Sequence, residues 1–327
     1  MTEPVLRIDG LCLTIDGAAV VDGLSLAVQE REIVAVVGES GCGKSLSALA
    51  VLRLLPPAVR LSGGSITLCG RDVIGMGDSD LAGLRGRVAS IIFQEPTASL
   101  DPLTTVGSQI VEALLVHQRF SRAIARQRAK EMLVSVGIAD PDRRLDQYPF
   151  ELSGGMCQRI MIAIALINEP KLLIADEPTT ALDVTIQAQI LNLMKDLAAE
   201  HGTAVLIITH DMGVVADMAD RVVVMYAGRV VETAPVEIIF KEPQHPYTAL
   251  LLASVPRSDF APKSRLATID GTVPQPADFG SGCRFAGRCP LADVRCRSES
   301  PPLTARGPDH SAACWHADRT HSLRSAA

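Results

Sequence analysis

Eight consecutive residues, Gly38-Glu39-Ser40-Gly41-Cys42-Gly43-Lys44-Ser45, match the pattern G-x-x-x-x-G-K-[ST]. Glycines at 38, 41 and 43 let backbone N–H groups curl around a phosphate without side-chain obstruction, and Ser40 lies inside the same cradle. A helix beginning at the end of the loop aims its positive dipole end at the same anion. In such a loop Lys44 reaches the β- and γ-phosphates of a nucleotide and the Ser45 hydroxyl ligates Mg²⁺. Further along, Lys171-Leu172-Leu173-Ile174-Ala175 is an apolar run that ends in two carboxylates, Asp176 and Glu177. A strand-end aspartate beside a phosphate loop holds the Mg²⁺ shell. The carboxylate after it aligns or deprotonates an attacking water, a role worth ~10²–10⁴-fold in rate. His210 closes another apolar run, Val205 to Thr209, at the strand edge where ligands collect in open α/β sheets. Ser153-Gly154-Gly155 precedes an apolar helical stretch and reads either as a second anion-binding helix start or as an ordinary cap.

The elements that must position these groups follow from periodicity. Residues 33–37 are an apolar strand, and 46–55 are a helical pattern stopped by Pro56-Pro57, so the loop sits between strand and helix. Residues 1–32 alternate, with turn signals at Asp9-Gly10, Asp16-Gly17 and Asp22-Gly23, predicting short antiparallel strands. A strand over 88–93 ends at Gln94-Glu95-Pro96. From 96 to 167 the pattern is helical: 106–120, then an Arg-rich amphipathic segment over 121–136 with Ile124, Met132, Leu133 and Val136 on its apolar side. A helix over 184–200, a strand over 205–209 and a hairpin over 221–231 follow, and beyond residue 240 the chain turns Pro- and Gly-rich.

Bulk properties narrow the function. A length of 327 residues suits about two domains. A net charge of −6 without a basic run, and 3% aromatics, argue against nucleic-acid binding. No basic leader precedes an apolar segment at the N-terminus, and no apolar run is long enough to span a bilayer, so any membrane crossing is expected in other subunits.

Four of the eight cysteines crowd the end of the chain: Cys283, Cys289, Cys296 and Cys314, in the spacing C-x5-C-x6-C-x17-C. Three readings compete. They are free structural thiols, a zinc site, or the four ligands of a [4Fe-4S] cluster. Structural zinc usually draws on C-x(2–4)-C knuckles, which are absent, whereas a cluster tolerates wider spacing. His310 and His316 are spare ligands that keep Zn²⁺ open, and a disulfide is least expected in a reducing cytosol.

The phosphate loop, Leu152-Ser153-Gly154-Gly155 and the strand ending Asp176-Glu177 occur in the order and spacing of an ATP-binding cassette. The phrases Ile92-Phe93-Gln94-Glu95-Pro96, Ala175-Asp176-Glu177-Pro178-Thr179-Thr180-Ala181-Leu182-Asp183-Val184-Thr185 and His245-Pro246-Tyr247-Thr248, with Val255-Pro256 after it, resemble the dipeptide/oligopeptide permease branch. The C-terminal region resembles extensions of that branch, some of which carry a [4Fe-4S] cluster. The resemblance implies an α/β fold: a P-loop (RecA-like) core with an N-terminal antiparallel β subdomain over 1–95, a helical signature subdomain over 96–168, the rest of the core over 169–240 and a Cys-rich extension over 241–327. It implies ATP hydrolysis powering peptide import, with nickel or another small solute as the alternative cargo. Glu177, His210 and Gln94 are the implied catalytic set, Gln94 also sensing Mg²⁺ with Ser45 and Asp176. Ser153, Gly154 and Gly155 would meet ATP on a second cassette, and Asp183 would sit at the dimer interface. Implied partners are a distinct second cassette, two transmembrane permease subunits and an extracytoplasmic binding protein, with the chain peripheral on the cytoplasmic face of the inner membrane. Two departures stand out: Met156-Cys157 follows the signature where a general cassette has Gln-Arg, and Ile15 stands where an adenine-stacking aromatic is expected. Non-transport cassettes are the rival class. A repair type needs a long heptad insertion and a translation type a second phosphate loop, and the sequence has neither.

Overall fold

The computed structural model describes residues 3–180, 183–255 and 268–323. Ala181, Leu182 and Pro256 of the phrases above lie outside them. The chain opens with strands β1 (Leu6–Ile15), β2 (Ala18–Val28) and β3 (Ile33–Val37), helix α1 (Lys44–Val51), and strands β4 (Val59–Leu68) and β5 (Arg71–Asp72). Helix α2 (Asp78–Leu84) and strand β6 (Ala89–Ile92) precede α3 (Pro96–Ser99), α4 (Val106–Leu115), α5 (Arg122–Ser135), α6 (Pro141–Leu145) and α7 (Gly154–Leu166). Then come β7 (Leu172–Asp176), α8 (Val184–His201), β8 (Ala204–Thr209), α9 (Met212–Met218), β9 (Arg221–Tyr226) and β10 (Arg229–Pro235). The C-terminal part holds α10 (Val236–Lys241), α11 (Pro246–Ala253), α12 (Val294–Ser298), β11 (Thr304–Gly307) and β12 (His310–Ala312). No described helix is long and apolar enough to cross a membrane.

Two compact units divide the chain. The first comprises residues up to Leu6, Val28–Glu32 and Leu68–Ile208. Within it β6, β7 and β8 are parallel neighbours, with Ala89 opposite Leu172 and Leu172 opposite Ala204. Their near-continuous apolar sequences are what a strand covered on both faces requires. The helical region packs around α7, which contacts α3, α4, α5 and α8. Nearly every residue of α7 after Met156 is buried, including Ile160, Met161, Ile162 and Ala163, so only its N-terminal turn reaches solvent. Helix α5 corrects the sequence reading in part: Leu133 and, just past the helix end, Val136 are fully buried as expected. Its buried residues are Ala125, Ala129 and Leu133, while Ile124 is 51% exposed. Alanine at i and i+4 lets neighbouring helices approach closely, so the packing face is the one with small side chains.

The second unit comprises Arg7–Ala27, Ile33–Thr67 and the residues from Thr209 onward. Here β3 runs parallel to β9, β9 pairs antiparallel with β10, and β10 pairs with β12, which closes a hairpin with β11. The C-terminal extension thus continues the sheet that begins behind the phosphate loop. The N-terminal strands are fewer and longer than expected. β1 runs through Asp9-Gly10 and β2 through Asp22-Gly23, and only Asp16-Gly17 makes a turn between strands. Gly10 and Gly23 take positive φ (60° and 73°) inside strands, where a glycine marks an irregularity and not an end.

Candidate functional site

In the second unit the fully buried strand β3 delivers the chain to Gly38. A Cβ at Gly38 would lie 2.2 Å from the Met225 carbonyl oxygen, and one at Gly43 would lie 2.7 Å from Val21 Cγ2, so both positions exclude any side chain. Gly43 (φ 96°) starts α1 with no side-chain cap, at a helix N-terminus of the kind whose dipole suits an anion. Lys44 is 5% exposed; its Nζ donates to the carbonyls of Gly38 (2.7 Å) and Glu39 (3.0 Å) and lies 3.8 Å from Cys42 Sγ. The ammonium is therefore held inside the loop. Burial pushes the Cys42 thiol up against the opposing pull of Lys44, so it remains a neutral thiol. Ser40, Gly41 and Ser45 are exposed on the loop and on the first turn of α1. His210 is exposed immediately after β8, and Asp211 caps α9 by accepting from the Gly213 N–H at 2.8 Å.

The phosphate loop is also held by residues from far along the chain. The Glu39 N–H donates to the Tyr247 hydroxyl at 2.8 Å, and Arg288 Nη1 donates to both Glu39 carboxylate oxygens at 2.9 Å. Sequence reasoning missed both contacts. In the sequence Tyr247 is marked only as part of the phrase His245-Pro246-Tyr247-Thr248, and nothing there singles out Arg288.

In the first unit, β7 ends at Asp176, which is 8% exposed, and the next residue, Glu177, adopts a left-handed backbone (φ 47°). A non-glycine residue in that region carries strain that the surroundings must hold, and such residues cluster at functional sites. The Glu177 N–H donates to the Ile208 carbonyl at 2.9 Å. Its carboxylate Oε2 accepts from Gln94 Nε2 (2.9 Å) and from the Thr180 hydroxyl (3.0 Å). Gln94 and Glu177, separated by 83 positions, are thus brought together, and Thr180 is a third member not singled out from sequence. Ser153 caps α7, its hydroxyl accepting from the Met156 N–H at 3.3 Å, with Gly154 exposed beside it. A Cβ at Gly155 would lie 3.2 Å from Ile186 Cγ2. Asp183 caps α8, accepting from the N–H groups of Thr185 and Ile186. Ile15, where the stacking aromatic is expected, is half-buried at the end of β1, and the sequence has no aromatic residue before Phe93.

The four C-terminal cysteines lie close enough to feel one another electrostatically. The Cys283 N–H donates to the Cys296 carbonyl at 2.8 Å, and a Cβ at Gly282 would lie 2.4 Å from the Arg297 carbonyl oxygen. Burial pushes Cys289 up to about 11 and Cys314 up to about 12, and the neighbouring cysteines push in the same direction. His310 is committed elsewhere, its Nε2 sharing a hydrogen bond with the buried Glu232 at 2.8 Å. His316 pairs with Asp293 (3.0 Å), and the ligand atoms of Asp293, Cys296 and His316 all lie within 4.8 Å of one another.

A family model described as "ABC transporter" matches residues 21–180, and one described as "Oligopeptide/dipeptide transporter, C-terminal region" matches residues 231–296. The dimeric, post-hydrolysis ATP-binding cassette MJ0796 bound to ADP and Pi is similar, with a TM-score of 0.64 at 27% identity over 71% of this chain and 98% of that one. So is cbiO1 of Clostridium perfringens, part of the cbiONQ ABC transporter complex, with a TM-score of 0.65 at 28% identity over 74% of this chain and 92% of that one. The dipeptide transport ATP-binding protein DppD of Bacillus subtilis is 48% identical over 97% of this chain and 96% of its own length. The oligopeptide transport ATP-binding protein OppD of Mycobacterium bovis is 49% identical over 95% of this chain, which spans only 52% of that longer protein. Fold and loops together define an ATP-binding cassette ATPase. Within that class the chain belongs to the family of oligopeptide and dipeptide ABC transporter ATP-binding subunits.

Proposed function

We propose that this subunit hydrolyses ATP between two cassettes to power peptide import, and that Glu177 is the group that activates the attacking water. The observation that carries the reading is the Glu177 carboxylate, held by Gln94 and Thr180 at the end of a buried parallel strand. In this reading Gly38, Ser40, Gly41, Gly43 and Lys44 bind the phosphates. Ser45, Gln94 and Asp176 offer the hard oxygen donors that suit Mg²⁺, which neutralises phosphate charge. Glu177 takes the proton of the water attacking the γ-phosphorus, His210 orients that water, and ADP is the leaving group. Ser153, Gly154, Gly155 and Asp183 serve the nucleotide on the facing cassette, a reading supported by the open space at Gly154, where a Cβ would meet nothing within 4 Å. Di- or oligopeptide is the favoured cargo because the match over 231–296 belongs to that branch. The partners are a second, distinct cassette, two permease subunits and an extracytoplasmic binding protein, with this subunit peripheral at the cytoplasmic face. Residues 1–95 and 169–240 act as the core, 96–168 as the signature subdomain and 241–327 as the extension.

The four thiols fit a metal group. They are partly or wholly buried, mutually repulsive once ionised, and joined by the close backbone approach of Gly282 to Arg297. We assign Cys283, Cys289, Cys296 and Cys314 as ligands of a [4Fe-4S] cluster, with Zn²⁺ as the alternative that the Asp293–Cys296–His316 group favours. Such a group would supply a cross-link and a redox-sensitive charge.

The test is Glu177→Gln in the assembled transporter. The variant should bind ATP with parent affinity, lose turnover by at least ~10²-fold and accumulate as a closed pair of cassettes. Parent turnover in that variant refutes the role.

A further inference from the structure

We propose that the C-terminal extension sets nucleotide affinity through a clamp on Glu39, with Arg288 and Tyr247 as positioning residues for the Lys44 ammonium. The inference deepens the ATP-site reading above and rests on it. All three handles of Glu39 are engaged. Its carboxylate is gripped by Arg288 Nη1 at 2.9 Å to each oxygen, and its N–H is taken by the Tyr247 hydroxyl at 2.8 Å. Its carbonyl accepts the Lys44 ammonium at 3.0 Å. Two handles are thus held from the extension and the third holds the cation that must meet the phosphates.

The clamp is itself rigid. The Arg288 side chain is 8% exposed; its Nε and Nη2 donate to the carbonyls of Asp270 (2.8 Å) and Ile269 (3.1 Å), and Nη1 also lies 3.3 Å from the Tyr226 hydroxyl. A guanidinium with all three nitrogens engaged is a fork fixed in direction, which a lysine would not reproduce. Tyr247 is fully buried, its ring 4.7 Å from that of Tyr226 and 5.4 Å from that of Phe285. Charge-assisted hydrogen bonds of this kind are about twice as strong as neutral ones, so the Arg288 half should dominate. The arrangement also has a route to regulation. Arg288 precedes Cys289 in the chain, and Phe285, two positions after Cys283, packs its ring 5.4 Å from that of Tyr247, so the clamp and two of the four thiols share the same short segments.

The experiment measures Mg·ATP binding to the purified full chain by calorimetry, with kcat and KM in the assembled complex. Tyr247→Phe keeps the ring packing and removes only the acceptor. Arg288→Gln and Glu39→Gln each remove one side of the ion pair. Each variant should weaken ATP binding and raise KM about threefold to tenfold while kcat stays within twofold, and Arg288→Gln combined with Glu39→Gln should be no worse than either alone. Arg288→Lys should recover less than half of the loss. A merely structural role would lower the melting temperature with affinity unmoved. Parent affinity in Tyr247→Phe and Arg288→Gln, or additive losses in the double variant, overturns the clamp while Lys44→Ala still abolishes binding. Parent affinity in Lys44→Ala overturns the ATP-site reading and the clamp with it.

Discussion

At the residue scale, two glycines in nucleotide motifs do different work. Gly38 sits where a Cβ would come within 2.2 Å of the Met225 backbone oxygen and 2.9 Å of Cys42 Sγ. Gly154 has nothing within 4 Å and begins α7 with ordinary helical backbone. Gly38→Ala must therefore shift a strand, and overpacking of that kind costs about 1–3 kcal/mol. Gly154→Ala should change stability by less than about 1 kcal/mol, since alanine suits a helix better than glycine. Thermal melts of the two purified variants decide it, and equal destabilisation would contradict the packing argument. If Gly154→Ala melts like the parent yet lowers ATPase activity in the assembled complex, the loss lies at the facing nucleotide and not in the fold. Lys44 illustrates the complementary case. Removing its charge by Lys44→Ala should abolish measurable ATP binding in calorimetry with little effect on melting, because its partners are three atoms of its own loop.

At the element scale, α11 begins on a buried histidine. His245 is 1% exposed and its Nδ1 accepts from the Tyr247 N–H at 3.1 Å, a role only the neutral ring can play. Burial lowers its pKa to about 3. The unfolded chain protonates this histidine near pH 6.5 and the folded one does not. Stability contributed by the neutral ring is therefore complete above pH 6.5 and declines as pH falls toward 3, by up to ~1.4 kcal/mol per pH unit. His245→Asn keeps an acceptor for the cap and removes the titration. Between pH 7 and pH 5 the parent should lose more of its melting temperature than the variant, and parallel losses would refute the assignment. The element scale is also where sequence reading succeeded and failed for visible reasons. Parallel strands β6, β7 and β8 were legible because burial on both faces leaves an unbroken apolar run. The helical face of α5 was legible only at its C-terminal end, at Leu133 and Val136, because alanines carry the packing before them while Ile124 faces solvent. Turns at Gly10 and Gly23 were misread because a glycine signals an unusual φ without saying whether the strand resumes. Gln94 and Glu177 were legible through their motifs, but Arg288 on Glu39 was not, since nothing local marks a contact across 249 positions.

At the scale of the whole molecule, the extension is built into the same unit as the phosphate loop. β12 pairs with β10, Glu232 is buried on β10 and accepts from the N–H groups of Gln244 and His245, and it shares a hydrogen bond with His310 on β12. A carboxylate taken wholly out of water is tolerated only when every lone pair is engaged, so these contacts stand or fall together. Short elements carry the rest: α12 is five residues and β12 three, too little apolar surface to order the segment unaided. Four thiols within one such segment, two buried and two half-buried, are the natural place for a metal cross-link, whose binding energy would stabilise the fold directly. Purified without oxygen, the chain should carry about four irons and matching sulfide, as a [4Fe-4S] group requires. Cys289→Ser should lower that content and the melting temperature together. One zinc per chain would transfer the assignment to Zn²⁺ with the cross-link argument intact. Equal iron and zinc content in parent and variant would leave the cysteines as packing residues, and the stability of the extension would then rest on Glu232 and the β10–β12 pairing alone.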